Sequence, residues 1–194
     1  MGLLSLFKNI GVKGEFESCI EPHMEYLFRL AYRLHRNTAD AEDLVQELLA
    51  KVYVKRSELK KAHQAKMWLS KVMYHLFIDG IRKNALQASF HSPTDLNADD
   101  LASDNPGPDL IAHSDHTQQK IESAYLQLSP EHRAVLSMHD MEGYTLIELE
   151  QMLAIPLGTL KSRLHRARAN MKRMLTEMRD QEISTASRNL PKSA

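Results

Sequence analysis

The chain has 194 residues, 43% of them hydrophobic, which is enough for one large or two small globular domains. No apolar run approaches the ~18 residues that a helix needs to cross a bilayer, so we expect no direct membrane insertion. Cys19 is the single cysteine of the sequence, which excludes an internal disulfide and a zinc site built from several cysteines.

The formal net charge is zero, but the charges are segregated along the chain. Residues 51–83 carry a net charge of +7, residues 91–119 carry −6, and residues 156–179 carry +6. Two basic blocks separated by an acidic one predict two polyanion-binding modules joined by a segment that itself resembles a polyanion.

The N-terminal half predicts helices that start after a short tail. Residues 1–14 begin with a mostly apolar run that is too short for a signal peptide, so we expect a tail that packs on the first helix or stays mobile. Apolar residues at helical spacing predict a first helix over residues 16–34. After a break at Arg36-Asn37-Thr38, either Thr38 or Asp40 is expected to cap a second helix with an acidic first turn.

Residues 56–67 are basic and weakly periodic, which predicts a loop whose ends can be helical. A third helix is predicted over residues 68–83, where apolar residues recur at helical spacing. Trp68 starts this helix, and we expect it to anchor the core rather than to stack on a base, because a single tryptophan at helical spacing usually packs inside.

The stretch Asp40–Glu47, followed by Trp68-Leu69, Asp79 and Arg82, resembles region 2 of the extracytoplasmic-function (ECF) sigma factors, which are bacterial initiation subunits of RNA polymerase. His75 departs from the family, which more often has Asn at this position. The resemblance implies that the acidic helix docks on the clamp helices of the polymerase core. The residues expected on that surface are Asp40, Glu42, Asp43, Gln46 and Glu47.

The same resemblance implies that this module melts the −10 promoter element and holds single-stranded bases. A displaced strand needs basic and polar side chains along a groove. The residues suited to this role are Lys60, Lys61, Lys66, His75, Arg82 and Lys83.

Residues 85–119 are rich in Ser, Asp, Asn and Pro and contain too little apolar surface to form a core. We predict a flexible linker with an extended reach of ~110 Å, at ~3.3 Å per residue, against the ~50 Å that separates two promoter elements. The resemblance implies that the linker threads the active-site and RNA-exit channels of the polymerase, where its six Asp residues would be attracted to basic walls.

The stretch Leu128–Leu175 predicts a helix-turn-helix. Thr145 and Glu148 have the spacing of a capping box, and Pro156 suits the first position of the next helix. Apolar residues in that helix recur every three or four positions from Leu157 to Met174, and its opposite face is basic. A basic second helix is typical of one that enters a DNA major groove.

The segments Glu142–Thr145 and Ile155–Arg168 resemble region 4 of the ECF sigma factors. Ala154 departs from the family, which usually has Gly there. The resemblance implies that the helix recognises the −35 element. Arg163 and Arg168 lie nearer the buried flank of the helix, so we expect them to contact phosphates or polymerase instead. The −35 candidates are Thr159, Lys161, Ser162, Arg163, His165 and Arg166.

Together these observations predict an all-α protein with two small helical domains, a three- to four-helix bundle and a helix-turn-helix, joined by a flexible acidic linker. The predicted divisions are a tail (1–14), region 2 (15–84), the linker (85–119), region 4 (120–180) and a C-terminal tail (181–194). The expected function is that of a cytoplasmic sigma factor that binds the clamp helices and flap of the polymerase core and the −10 and −35 elements. We expect control by an anti-sigma factor, no enzymatic activity and no cofactor.

Three alternatives remain open from the sequence. A stand-alone helix-turn-helix regulator would bind DNA without polymerase. A sigma-like decoy would titrate an anti-sigma factor and initiate nothing. An enzyme could bind Mg²⁺ through Asp40, Asp43 and Glu47, which share a helix face, although no second acidic helix faces them.

Overall fold

The computed structural model describes residues 14–91, called module one, and residues 116–188, called module two. Every element in these two ranges is a helix or helical turn, which confirms the prediction of an all-α fold. Module one contains α1 (Glu15–Ile20), a 3-10 turn (Glu21–His23), α2 (Met24–His35), α3 (Thr38–Val54), α4 (Arg56–Lys61) and α5 (Ala65–His91). Module two contains α6 (His116–Leu126), α7 (Pro130–Leu136), a π turn (Ser137–Met141), α8 (Leu146–Leu153) and α9 (Leu157–Arg188). None of these helices is long and apolar enough to cross a membrane.

The helices that flank the predicted linker are longer than expected. Helix α5 continues to His91 and α6 begins at His116, so only residues 92–115 separate them. Helix α9 runs to Arg188, past the predicted start of the C-terminal tail. Residues 1–13 of the predicted N-terminal tail, most of the predicted linker and residues 189–194 lie outside the described ranges.

The loop predicted over residues 56–67 does have helical ends, α4 and the start of α5, and the non-helical part is only residues 62–64. Leu59 is the buried residue of α4. Arg56 donates a hydrogen bond to the Tyr53 carbonyl at 3.1 Å and lies over the Tyr53 ring. A helix with a single buried side chain shows no apolar periodicity in its sequence. Such a short helix is stable only through its tertiary contacts.

The cap of α3 also differs from the expectation. Asn37, rather than Thr38 or Asp40, is the N-cap, and its side-chain oxygen accepts hydrogen bonds from the backbone N–H groups of Ala39 at 2.8 Å and Asp40 at 3.4 Å. Arg36 ends α2 with a left-handed φ of 60°, and Asn37 then adopts the extended conformation that an N-cap requires.

The core of module one follows the predicted helical stripes. The stripe of α2 from Met24 to Leu34 packs on α3 and α5, and the apolar side of α3 faces it. The residues predicted for that side of α3 are all buried: Leu44, Val45, Leu48, Leu49 and Val52. Full burial of one such side chain contributes about 1.5–3 kcal/mol, so these stripes dominate the stability of the bundle.

Module two is organised around α9, which packs on α6, α7 and α8. Leu160, Leu164, Ala167 and Met174 are buried, which confirms the predicted apolar stripe. The stripe fixes the rotation of α9 about its axis and therefore decides which side chains of the helix meet solvent.

The two modules also pack against each other. Helix α5 contacts α7 and α8, and α2 contacts α7 and the π turn. The buried apolar side chains of both modules form one continuous core. The two predicted helical domains therefore share an interface in this arrangement.

Ala154 generates the first testable prediction. It ends α8 with a left-handed φ of 56°, a conformation that is strained for any residue with a Cβ. Replacing Ala154 with Gly should stabilise the protein by about 0.5–1 kcal/mol, after allowing for the larger chain entropy of Gly when unfolded. Thermal unfolding would measure the change. The control is Ala169→Gly at an exposed position inside α9, which should lower stability by about 1 kcal/mol.

His35 generates a prediction about pH. Its ring packs edge-on against Phe77 with centroids 5.1 Å apart, and burial lowers the pKa of the imidazole from 6.5. Because the pKa of His35 is lower in the folded protein, the imidazole is protonated at a higher pH in the unfolded chain than in the folded one. As the pH falls below 6.5, proton uptake therefore favours the unfolded chain and the free energy of unfolding decreases. The free energy of unfolding, measured by urea titration, should decrease less between about pH 7.5 and 5.5 in the His35→Gln variant than in the parent protein. An equal loss in both proteins would contradict this explanation.

Candidate nucleic-acid interface

Three local features shape α8 and its turn into α9. Thr145 caps α8, its hydroxyl accepting from the Glu148 N–H at 3.2 Å while the Glu148 carboxylate accepts from the Thr145 N–H at 2.7 Å. This confirms the predicted capping box. Ala154 reverses the chain, and the Glu150 carboxylate accepts from the Leu157 N–H at 2.8 Å, so α8 also caps the start of α9. The described helix begins one residue after Pro156, the predicted start.

One face of the first turns of α9 is open to solvent. Five of the predicted −35 residues are exposed on it: Thr159, Lys161, Ser162, His165 and Arg166. The buried stripe from Leu160 to Ala167 holds the opposite face, so these polar side chains project together. A helix with a basic, exposed N-terminal part has the dimensions and charge to enter a DNA major groove.

The two arginines assigned to the flank of α9 differ from each other. Arg163 is half-buried and lies close to Tyr74 of module one, where its charge opposes the rise that burial causes in the pKa of Tyr74. Arg168 is exposed, and its contact with phosphates or polymerase stays a prediction. Its Nε donates to the Asp140 carboxylate at 2.9 Å, and this hydrogen bond lowers the pKa of Asp140. Arg168 is thereby oriented along the outside of the helix-turn-helix.

The predicted −10 residues do not form one cluster, and Lys66 and His75, nine residues apart, lie on opposite faces of α5. Lys60 and Lys61 end α4, and Lys66 lies in the first turn of α5. Lys83 lies 17 residues after Lys66, about 25 Å farther along α5 at 1.5 Å per residue. All these side chains and that of Arg82 are exposed, and His75 is half-buried.

His75 lies among basic residues that the sequence analysis did not select. Burial lowers the pKa of its imidazole, with a further contribution from Lys71, while Asp79 opposes the shift and Lys51 adds to it. Lys71, His75 and Asp79 are spaced by four residues on α5, so this spacing could have identified Lys71. Lys51 is on α3, and its proximity depends on helix packing that no local pattern encodes.

The acidic residues of α3 lie opposite its buried stripe. Asp40, Asp43, Gln46 and Glu47 are exposed and Glu42 is half-buried, so together they form a surface that a basic partner could approach. No group of three or more His, Cys, Asp or Glu side chains in residues 14–91 and 116–188 is placed to hold a metal ion. The Mg²⁺ hypothesis for this helix face therefore has no assembled site in these ranges.

Trp68 lies at a groove between the modules. The groove has a volume of about 370 Å³ and is lined by side chains of α5, such as Met67 and Trp68, and by Gln151 and Met152 of α8. Trp68 packs on the core but is only half-buried. Its environment therefore contains atoms of both modules.

Comparison with protein families matches most of the described chain. Residues 19–87 match the family described as sigma-70 region 2, and residues 118–171 match the one described as sigma-70, region 4. These ranges correspond to module one and to the greater part of module two.

Curated relatives cover both modules at once. The ECF RNA polymerase sigma factor SigL of Mycobacterium tuberculosis is 31% identical over 159 residues, which cover 81% of this chain and 87% of that protein. The ECF RNA polymerase sigma factor SigE of Mycolicibacterium smegmatis is 29% identical over 171 residues, which cover 88% of this chain and 65% of that protein.

A solved structure has a similar fold. It is the sigma factor RpoE of Bartonella quintana in complex with the anti-sigma factor NepR. The TM-score is 0.65 at 23% identity, and the match covers 83% of this chain and 96% of that one. The match extends over both modules.

Proposed function

The chain belongs to the ECF RNA polymerase sigma factors, and we propose that its two modules divide promoter recognition between the −35 and −10 elements. Members of this family direct transcription initiation by binding the polymerase core and promoter DNA. The chain thus acts as an initiation factor rather than an enzyme, needs no cofactor and works in the cytoplasm, where the polymerase is.

The observation that carries the −35 assignment is the exposed polar face of α9. Arg166 and Lys161 are candidates for guanine O6 and N7, and one such bidentate contact discriminates by about 1–3 kcal/mol. Ser162, which donates to the Thr159 carbonyl at 2.9 Å, and His165 complete the polar face. Arg163 is the candidate for a phosphate contact, because it lies at the edge of the exposed face.

The −10 assignment rests on the exposed basic side chains of α4 and α5. Lysine side chains such as Lys60, Lys66 and Lys83 can hold the backbone of a displaced strand by charge alone. The half-buried His75, with its lowered pKa, supplies a neutral polar group between Lys66 and Lys83 in the sequence of α5. The strand would therefore be held mainly through phosphates, with fewer base contacts.

The acidic face of α3 is the proposed surface for the clamp helices of the core, and module two is proposed to contact the flap. The acidic segment 91–119 is proposed to enter the channels that later hold RNA. An anti-sigma factor is proposed as the regulatory partner, since the related RpoE is seen in complex with one.

Run-off transcription with purified core polymerase is the test of this function. The full chain should confer initiation at a defined start site on a promoter that the core does not recognise. A stand-alone regulator would bind promoter DNA without this effect. A decoy would bind an anti-sigma factor and give no transcript. Absence of any specific transcript with every candidate promoter would overturn the proposal.

Arg166→Ala tests the −35 assignment. We expect promoter-specific initiation to fall roughly 5- to 150-fold, equivalent to the loss of about 1–3 kcal/mol of base recognition. The matched control is Arg179→Ala, on the same helix but about 20 Å away at 1.5 Å per residue, which should leave initiation unchanged. Equal effects of the two substitutions would reject the assignment.

The double substitution Asp43→Asn with Glu47→Gln tests the docking surface. Removing two exposed charges should weaken binding to core polymerase about five-fold or more, since about 1 kcal/mol corresponds to that factor. The affinity would be measured by fluorescence anisotropy in the absence of DNA. Glu177→Gln with Asp180→Asn removes two exposed charges from α9 and should leave the affinity as it was.

A further inference from the structure

The carboxylate of Asp140 joins the π turn to α9 on the outside of module two. Arg168 donates two hydrogen bonds to it, from Nε at 2.9 Å and from Nη2, and they lower the pKa of Asp140, so the carboxylate is ionised at neutral pH. The Nδ1 atom of His139 lies 2.8 Å from the same carboxylate. An ionised carboxylate can only accept hydrogen bonds, so this nitrogen carries the proton and donates. Asp140 is therefore held by His139 while it holds Arg168.

The π turn brings Asp140 to the surface beside α9. In this turn the N–H of Glu142 donates to the Ser137 carbonyl at 3.0 Å. A π turn adds one residue to a helical turn, and such turns occur frequently at functional sites. Met138 in the turn is buried, whereas Asp140 two residues later is exposed. The turn thus joins a buried segment to an exposed carboxylate.

The exposure of the Asp140–Arg168 pair argues against a role in stability alone. The side chains of Arg168 and Asp140 are 55% and 30% exposed. Ion pairs this open to solvent contribute little to stability, because water screens them. Two parallel hydrogen bonds do fix the direction of an arginine side chain, since both must be satisfied by one geometry. The main effect of the pair is therefore to orient Arg168.

The Arg168 guanidinium keeps donors for a second partner. A guanidinium has five N–H groups, and Asp140 accepts from two of them. The other three are on Nη1 and Nη2, and they include a pair that can bind a phosphate through two parallel hydrogen bonds. Because the side chain is more than half exposed, an anion can reach this second edge. Asp140 thus orients a cation without using all of its donors.

Arg168 borders the exposed polar face of α9. It follows Lys161 by seven residues and His165 by three, so these side chains lie along one line of the helix. Arg163, five residues earlier, borders the same face on its other side. An α-helix about 10–12 Å across nearly fills a major groove about 12 Å wide, so both borders approach backbone phosphates. Arg168 is placed to meet the strand that Arg163 does not.

We propose that Asp140 is a positioning residue for DNA binding, whose carboxylate holds the Arg168 guanidinium so that its second edge binds a backbone phosphate beside α9. The inference rests on the proposed function for the placement of α9 in the major groove. Without Asp140, Arg168 keeps its charge but loses rotational freedom only when it binds, which lowers the affinity. Because a phosphate contact carries no sequence information, the effect is the same on any duplex.

The experiment measures the affinity of the full chain for a fluorescein-labelled duplex of random sequence, by anisotropy over a range of NaCl concentrations. Asp140→Ala should weaken binding about two- to ten-fold at every salt concentration, as expected for the ordering of one long side chain. Arg168→Ala should weaken binding by about ten-fold at low salt and reduce the slope of log affinity against log salt by about 1, because a phosphate contact is lost.

The double variant separates positioning from a structural role. Asp140→Ala added to Arg168→Ala should cause no further weakening, because no guanidinium remains to be positioned. Arg168→Lys keeps the charge but lacks the planar group that binds a carboxylate and a phosphate through different edges, so it should also weaken binding. The matched control is Glu177→Ala, which removes the carboxylate paired with Arg173 on the same helix and should not weaken binding.

Several outcomes would reject the positioning role. Tighter binding by Asp140→Ala would show that the carboxylate masks Arg168. Parent-like affinity of Asp140→Ala or of Arg168→Lys would show that orientation does not matter, and further weakening in the double variant would show that Asp140 acts through another group.

A second variant covers a folding defect. If Asp140→Ala loses helix content by circular dichroism, Asp140→Asn replaces it, with a smaller weakening expected because its amide oxygen still accepts from Arg168. The expected pattern of affinities without any promoter-specific transcript would support the positioning role and reject the proposed function. Promoter-specific transcripts with parent-like affinity of the Asp140 variant would do the reverse.

Discussion

Helix α5 must be buried on more than one side, and the rest of the architecture depends on this constraint. It packs on α2, α3 and α4 within module one and on α7 and α8 of module two. Its inward residues Leu69, Met73 and Phe77 are buried, while Trp68 and Val72 next to them are half-buried. A helix that packs against both modules needs apolar side chains on more than one face, so it cannot have a single narrow apolar stripe opposite a polar face. Polar residues of α5 therefore occur even inside the contacts, as the fully buried Ser70 shows.

Features that depend on residues close together in the sequence were predicted, and most features that depend on residues far apart were missed. The Thr145–Glu148 capping box and the strained turn at Ala154 involve neighbours within a few residues, so the chain itself contains the whole signal. The stripe of α9 is also local, and it suffices to place Lys161 and Arg166 on an exposed face. This part of the candidate site was predictable because a helix converts spacing directly into direction.

Most of the missed features depend on distant partners. Helix α4 is one of them, because Leu59 is buried under its neighbours. The Asn37 cap is the exception, since it follows from the left-handed backbone of the adjacent Arg36. The Arg33–Glu142 ion pair joins residues 109 positions apart, so no window of sequence contains both. Glu142 itself was selected for its motif, yet nothing near it in the chain indicates a cationic partner.

The interface between the modules combines apolar packing with buried ion pairs. The buried apolar side chains of both modules form one core, and the Arg33–Glu142 and Arg36–Glu122 pairs lie in the same contact. A buried ion pair gives little net stability compared with apolar side chains of the same shape, so the shared core is the larger source of stability. Removing one partner of such a pair leaves an uncompensated buried charge, so the ion pairs act against any packing of the two modules that would separate the partners.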